Sequence, residues 1–378
     1  MIAGILKECN QENRVAILPQ EAAQLARLGM EVLVESGAGE RAFARDDEYV
    51  KQGARIMLRD DVIAKAGLLL TVNLISEEDL QACSEGKVLC SVLDPVVNHK
   101  SLELARAKGL SVLGLDLIPR TTRAQSMDVL SSMATVAGYK AVLDAASMLP
   151  RFFPMFMTAA GTIKPARVLI LGAGVAGLQA LAIARKLGAV VEVFDVRSAV
   201  KEEVKSLGGR FIEVEGSRED ESAGGYAVEQ TEEYQKKQAD LIHKHAINSD
   251  VVIATAQIPG RKAPVLIGQD TVASMKPGTV IIDLAASSGG NCELTRNGET
   301  ILVNGVRIAG KSDYYSEMSS DASKLFGNNI VNLLKIMTNG DGTLSFNFQN
   351  EIIRETTAVH KYEYVSDRIK QMLNLIKS

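Results

Sequence analysis

The chain of 378 residues has no tryptophan, four histidines and four cysteines, and each scarcity removes a class of function. The cysteines (Cys9, Cys83, Cys90 and Cys292) lie far apart, with no C-x-x-C pair and no histidine at ligand spacing. That excludes a zinc finger and a disulfide framework; no metal site is expected, and the thiols read as those of a reduced, cytosolic protein. The histidines (His99, His243, His245 and His360) fall outside every motif described below and are expected to be solvated rather than catalytic. Charge of one sign is also missing: a formal net charge of -4 leaves no basic footprint for nucleic acid or an acidic membrane. Apolar stretches such as Gly67 to Leu74 are strand-sized, far short of a membrane span. The opening Met1-Ile-Ala-Gly-Ile-Leu6 is broken at once by Lys7 and Glu8, so no signal peptide is expected. No repeat occurs at solenoid spacing.

What is present is a soluble globular composition, 46% apolar and 23% charged, at a length that calls for two domains. Strand signals at Ile2–Leu6, Glu31–Glu35, Leu68–Val72, Val88–Val92 and Ser111–Leu115 alternate with helical patterns such as Pro19 to Leu28 and Lys100 to Lys108. Alternation of that kind predicts a doubly wound, mostly parallel sheet. A long helical pattern runs from Ser126 to Leu149 and is closed by Pro150. Its small residues (Ser131, Ser132, Ala134, Ala137, Gly138) permit close packing against a neighbour. A second series of strands is expected at Val168–Leu171, Val190–Phe194, Arg210–Val214, Asp250–Ala254, Val280–Leu284 and Val306–Ile308. Helical patterns follow through Leu325, Ile330, Leu333, Leu334 and Met337, and from about Ser366 to Ile376.

The most specific local signal opens that second series. In Arg167-Val-Leu-Ile-Leu-Gly-Ala-Gly-Val-Ala-Gly-Leu-Gln179 an apolar strand runs into a glycine-rich turn and a helix. Gly172 allows the tight turn, Gly174 lets backbone approach a pyrophosphate, and Gly177 lets the helix close onto the sheet. A second apolar strand ends in Asp195, 18 residues past Gly177. With strand, helix, strand and terminal acid in place, the unit reads as a dinucleotide-binding βαβ fold. A carboxylate at that strand end accepts hydrogen bonds from the adenosine ribose and repels a 2′-phosphate, which favours NAD(H) over NADP(H). Arg197 could instead welcome a phosphate, stack near the adenine or stay solvated; the acid carries more weight because it occupies the strand end itself.

Two further segments carry polar residues in unusual settings. Ile118-Pro-Arg-Thr-Thr-Arg-Ala-Gln-Ser-Met-Asp-Val-Leu-Ser131 holds Arg120, Gln125, Asp128 and Ser131 where a loop meets a helix start. Ser126 or Asp128 could cap that helix, and Arg120 with Asp128 could form a structural ion pair. The functional alternative is that the loop offers guanidinium, amide and carboxylate groups to a carboxamide and ribose, fixing a nicotinamide for hydride transfer. The acidic stretch from Glu213 to Lys237, with Ala223-Gly-Gly-Tyr-Ala227 inside it, is either a solvated surface loop or a lid over a ligand.

Taken together, Pro119-Arg-x-x-Arg-Ala-Gln-Ser-Met-Asp-x-Leu-Ser-Ser132, Met157-Thr-Ala-Ala-Gly-Thr162, Gly172-x-Gly-Val-Ala-Gly-Leu-Gln-Ala180, Ala223-Gly-Gly-Tyr-Ala227, Ile282-Asp-Leu-Ala285 and Gly289-Gly-Asn-Cys292 resemble the alanine dehydrogenase/transhydrogenase family. Within it, the chain is most similar to the soluble NAD(H)-binding component, domain I of the α subunit, of proton-translocating NAD(P) transhydrogenases. The likeness runs from Lys7-Glu8 and Arg14-Val-Ala16 to Asp321-Ala-Ser-x-Leu-Phe326. It implies two doubly wound Rossmann-like domains separated by a cleft: a discontinuous first domain of residues 1–129 with 321–378, and an NAD(H)-binding domain of residues 130–320. It implies direct hydride transfer between NADH and NADP⁺ held on a partner, coupled to proton translocation by a membrane partner.

By the same resemblance, Arg120, Gln125, Asp128 and Ser131, with Thr121 and Thr122, hold the nicotinamide end, and Gln125 also faces the partner's NADP(H). Val175, Ala176 and Gly177, with Gly172 and Gly174, cover the pyrophosphate. Asp195, Val196 and Arg197 hold the adenosine; Gly225, Gln238 and Gln257 complete the pocket, with Tyr226 on a mobile loop. A homodimer is implied, cytoplasmic and attached peripherally to the inner membrane through NADP(H)-binding and membrane-spanning components. The competing expectation is an alanine dehydrogenase-like enzyme, which needs a substrate lysine, a catalytic histidine and a late aspartate. The corresponding stretches, Thr71-Val-Asn73, Leu89-Cys-Ser-Val92 and Asp283-Leu-Ala-Ala-Ser287, supply neither the lysine, the histidine nor a second acid. Lys7 and Arg14 remain as inherited framework.

Overall fold

A computed structural model describes residues 1–9, 12–214, 232–257 and 262–377. The chain divides into two compact units, Met1–Met133 with Tyr315–Ser378 and Ala134–Tyr314.

In the first unit, six parallel strands follow one another as β1 (Ile2–Ile5), β2 (Glu31–Glu35), β3 (Arg55–Met57), β4 (Leu68–Asn73), β5 (Val88–Val92) and β6 (Ser111–Gly114). The order β3-β2-β1-β4-β5-β6 reverses direction where β1 meets β4, the switch point of a doubly wound sheet. Strands covered on both faces need apolar residues at nearly every position, and Leu68 to Val72, apolar except for Thr71, are all buried.

The second unit repeats the plan. A hairpin of β7 (Phe156–Thr158) and β8 (Gly161–Ile163) precedes the main sheet. That sheet is built from β9 (Arg167–Leu171), β10 (Val190–Phe194), β11 (Arg210–Ile212), β12 (Val251–Ala254), β13 (Val280–Asp283), β14 (Thr300–Val303) and β15 (Val306–Gly310). Its order is β11-β10-β9-β12-β13-β15-β14, parallel except for β14, so the switch point falls where β9 meets β12. The helix Val129–Met148 buries Ala137, Ala141, Val142 and Ala145 in the core around Val168 and Ile170. Its small residues matter as expected: a Cβ on Gly138 would lie 2.2 Å from the Ala176 carbonyl oxygen.

The C-terminal segment completes the first unit. The helix Ser319–Met337 buries Phe326, Ile330, Leu333 and Leu334 there, and β16 (Thr357–His360) pairs antiparallel with β6, with β17 (Glu363–Tyr364) beyond it. Among the described residues no helix is long and apolar enough to cross a membrane.

Candidate functional site

The glycine turn sits at the carboxyl end of β9, at the switch point of its sheet, where open α/β sheets bind ligands. Gly172 turns the chain with φ +103°, and a Cβ there would meet Thr255 Oγ1 at 2.7 Å. Gly177 lies on the first turn of the helix Val175–Lys186, where a Cβ would fall 1.8 Å from the Gly172 carbonyl oxygen. Among the described residues nothing lies within 4 Å of the Cβ position of Gly174, the N-cap, and no side chain caps this helix. An approachable helix start without a capping side chain suits a diphosphate, which its backbone N–H groups and dipole attract. Thr255, directly after β12, donates to the carbonyls of Leu171 (3.3 Å) and Gly172 (3.1 Å) and so holds the turn from the far side.

Asp195 follows β10 and is buried. Its Oδ2 accepts from the backbone N–H of Ala173 at 2.7 Å, which ties the strand end to the glycine turn. Arg197 neither stays solvated nor stacks alone: its Nε and Nη2 donate to Asp195 Oδ1 and Oδ2 at 2.9 and 2.7 Å. That bond holds the guanidinium's pKa above its ordinary value. Beside this pair, Val196, Phe211 and Tyr234 line a surface recess together with Asp195 and Glu213. Phe211 and Tyr234 went unnoticed in the sequence; Tyr234 precedes Gln238 by one turn of the helix Glu232–Ala246, an i, i+4 relation that could have drawn attention to it.

Gln257 is exposed and donates to the Leu284 carbonyl at 3.2 Å, while Gln238 is half-buried. Gly225 and Tyr226, with most of the acidic stretch expected to be a loop or lid, lie outside the described residues. Next to Gln257 stands a network that sequence reading missed. Asn291, fully buried, brackets Ala256: its Oδ1 accepts from the Ala256 N–H at 3.0 Å and its Nδ2 donates to the Ala256 carbonyl at 2.8 Å. Asp283 in turn accepts from the N–H of Asn291 at 2.7 Å.

In the first unit, Arg120 to Ser131 follow β6, again at a carboxyl end. A 3-10 turn, Thr122–Met127, sets Ala124 and Met127 into the core and leaves Thr121, Thr122 and Gln125 exposed, with exposed Arg120 just before it. The carbonyl of Ser126 accepts from Asn329 and Asn332 Nδ2, at 2.9 and 3.1 Å, which pins the turn. Asp128 caps the helix that follows, accepting from the Ser131 N–H at 2.9 Å and its hydroxyl at 2.6 Å. The capping alternative is therefore realised for Asp128, and Ser131 is its partner.

Arg14, read as inherited framework, and Asn73, in the stretch where an amino-acid dehydrogenase would carry its lysine, both have partners of their own. Arg14, 5% exposed, is chelated by Glu12 (Nη2 to Oε2, 2.6 Å) and covers the Tyr315 ring at 4.2 Å. Asn73 donates through Nδ2 to Glu8 at 3.3 Å. Among the described residues no cluster of His, Cys, Asp and Glu could hold a metal. The histidines correct one expectation, since all four are half-buried rather than freely solvated. His243 Nδ1 lies 2.9 Å from Thr271 Oγ1, His245 Nδ1 2.7 Å from Glu192 Oε2 and His360 Nδ1 3.0 Å from Ser111 Oγ, so burial has given these three a structural partner each.

Glu8, at the switch point of the first sheet, accepts from the N–H groups of Val72 and Asn73 at 2.6 and 3.2 Å, yet burial pushes its pKa from 4.5 up to about 7. A folded pKa above the unfolded one gives a contribution fully present below about pH 4.5 and lost as pH rises through about 7. Thermal melts across that window are expected to lose stability relative to a Glu8→Gln variant, with the difference level above it. Parallel curves would remove Glu8 as the source.

Comparison with known proteins supplies the family. Residues 4–137 match the family described as alanine dehydrogenase/PNT, N-terminal domain, and residues 141–367 match its C-terminal domain. An NAD(P) transhydrogenase subunit alpha polypeptide of Rhodospirillum rubrum is 45% identical over 355 residues, covering 91% of this chain and 92% of that protein. The crystal structure of transhydrogenase from Sinorhizobium meliloti superposes with a TM-score of 0.88 at 42% identity, over 97% of this chain and 100% of that one. The alanine dehydrogenase of Mycolicibacterium smegmatis is more distant, 32% identical over 301 residues, covering 78% of this chain and 75% of that protein.

Proposed function

The chain belongs to the alanine dehydrogenase/PNT family, and from that premise we propose that it is the NAD(H)-binding α component of a proton-translocating NAD(P) transhydrogenase. The observation that carries the reading is the 45% identity to a transhydrogenase α subunit over 91% of the chain. The engagement of Arg14 by Glu12, with no lysine in the stretch Thr71-Val-Asn73, supports it against the amino-acid dehydrogenase reading.

The residues fit a dinucleotide. The uncapped helix start at Gly174, with Gly172, Val175, Ala176 and Gly177, receives the diphosphate; Asp195 and Val196 receive the adenosine, with Arg197 beside it on Asp195. Gln238 and Gln257 are assigned to the same nucleotide, as are Gly225 and Tyr226 outside the described residues. Arg120, Thr121, Thr122, Gln125, Asp128 and Ser131 are assigned to the nicotinamide. Bound NADH supplies a hydride, and the NADP⁺ that takes it is held by a separate component. Transfer between two nicotinamides moves no proton to or from a substrate oxygen, so this chain needs no general acid or base. Its work is alignment: a turn pinned by Asn329 and Asn332 holds Gln125 in one place. The proposal includes a homodimer, an NADP(H)-binding partner and a membrane-spanning partner that moves protons and keeps this chain at the cytoplasmic face of the inner membrane.

Mixing the purified chain with an isolated NADP(H)-binding transhydrogenase component, NADPH and an NAD⁺ analogue is expected to give hydride transfer that neither protein supports alone. Turnover of L-alanine with NAD⁺ by the chain alone would replace this reading with an amino-acid dehydrogenase.

A further inference from the structure

We propose that Arg197 is a displaceable internal competitor for the adenosine ribose, and that nucleotide binding requires its guanidinium to move off Asp195. The inference rests on the proposed NAD(H) site and concerns how that site opens. Asp195 Oδ1 accepts from the backbone N–H of Arg197 at 2.9 Å and from its Nε at 2.9 Å. Oδ2 accepts from the Ala173 N–H at 2.7 Å and from Arg197 Nη2 at 2.7 Å. A carboxylate has about four lone-pair positions, and these donors fill them. A ribose diol brings two new donors, so two of the present ones must leave. The backbone pair is fixed by the glycine turn and by the chain leaving β10. The side-chain pair is no part of that backbone framework.

Exposure points the same way: the Arg197 side chain is 25% accessible and that of Asp195 only 6%, so the guanidinium is the outer layer. Glu203, exposed on the helix Lys201–Ser206, attracts the same guanidinium and offers it a second resting place. The pairing also bears on selectivity. While Arg197 neutralises Asp195, the acid does not repel a 2′-phosphate; rejection of NADP(H) begins only when the cation has moved. Arg197 therefore works against both the affinity for NADH and the discrimination that Asp195 provides.

The test is equilibrium binding to the full chain, followed by the fluorescence of the reduced nicotinamide, which no tryptophan obscures. Arg197→Ala is expected to tighten NADH about fivefold, the scale of one net hydrogen bond, and to raise selectivity over NADPH. Reduced nicotinamide mononucleotide, which lacks the adenosine, is expected to bind unchanged. Arg197→Lys keeps the charge but not the fork, and is expected to show a smaller gain. Asp195→Asn should weaken NADH binding, and adding Arg197→Ala to it should bring no gain. If Asp195→Asn weakens NADH while Arg197→Ala weakens or leaves it unchanged, Arg197 is no competitor and the inference falls, with the nucleotide site intact. If Asp195→Asn has no effect on NADH, the assignment of the ribose to this strand end fails first. Circular dichroism of each variant separates either result from misfolding.

Discussion

Asp283→Ala is expected to cost about 4 kcal/mol or more of unfolding free energy, the range seen when a buried polar network loses its central acceptor. Asp283 ends β13 with no exposed surface. Its Oδ1 accepts from the Ala285 N–H at 3.0 Å; its Oδ2 accepts from the N–H groups of Asn291 and Cys292, at 2.7 and 3.0 Å, and from the Thr295 hydroxyl at 2.6 Å. Alanine would leave these donors without that acceptor, three of them backbone N–H groups of fully buried residues. Asp283→Asn keeps one oxygen and is expected to lose about half as much. The damage should spread: Asn291 holds the backbone of Ala256, next to Gln257, so NADH affinity is expected to fall along with stability. Denaturant unfolding of the two variants checks the first effect and NADH titration the second. A loss below about 1 kcal/mol for the alanine variant would mean that the loop from 285 to 295 relaxes onto other acceptors.

That network marks the limit of what was legible in the chain. β2, β5 and β10 were readable to the residue because a parallel strand buried on both faces must be apolar nearly throughout, and runs such as Val88 to Val92 satisfy that condition alone. Edge strands have no such requirement. Arg55–Met57 and Thr300–Val303 are partly exposed and carry no long apolar run, though Asn304-Gly305 after the latter, both at positive φ, is a hairpin signal that could have revealed it. β16 was invisible for another reason: its partner β6 lies more than two hundred residues earlier, and nothing local specifies that pairing.

The candidate site divides in the same way. Gly172, Gly174 and Gly177 could be assigned from spacing because each answers a local steric demand, and the Cβ contacts at Gly172 and Gly177 bear that demand out. Which acceptors Arg197, Arg14 and Asn291 use depends on folding partners, and composition is silent on that. Arg14 illustrates the point: it stood in the chain as inherited framework with no partner assigned, and only the positions of Glu12 and Tyr315 show how its guanidinium is occupied.

Gln125→Asn is expected to slow hydride transfer in the reconstituted system by about a hundredfold while the dissociation constant of NADH changes less than about threefold. The reason lies in how the residue is held. Gln125 is exposed, yet it stands on a turn whose neighbours are fixed: Ala124 and Met127 are buried, Ser126 is pinned by Asn329 and Asn332, and Asp128 caps the next helix. Shortening the side chain by one methylene leaves that frame in place and withdraws the amide by about 1.5 Å, the length of one carbon–carbon bond. A displacement of that size is expected to leave most of the dinucleotide's binding free energy unaltered, because the diphosphate and adenosine are assigned to other residues. It is expected to remove the contact proposed between this amide and the nicotinamide, on whose angle and distance the barrier for direct transfer depends steeply. Stopped-flow measurement of single-turnover transfer, alongside NADH titration, separates the two quantities. Equal losses in rate and affinity would reduce Gln125 to a ground-state binding residue, and an unchanged rate would remove it from the reacting centre altogether.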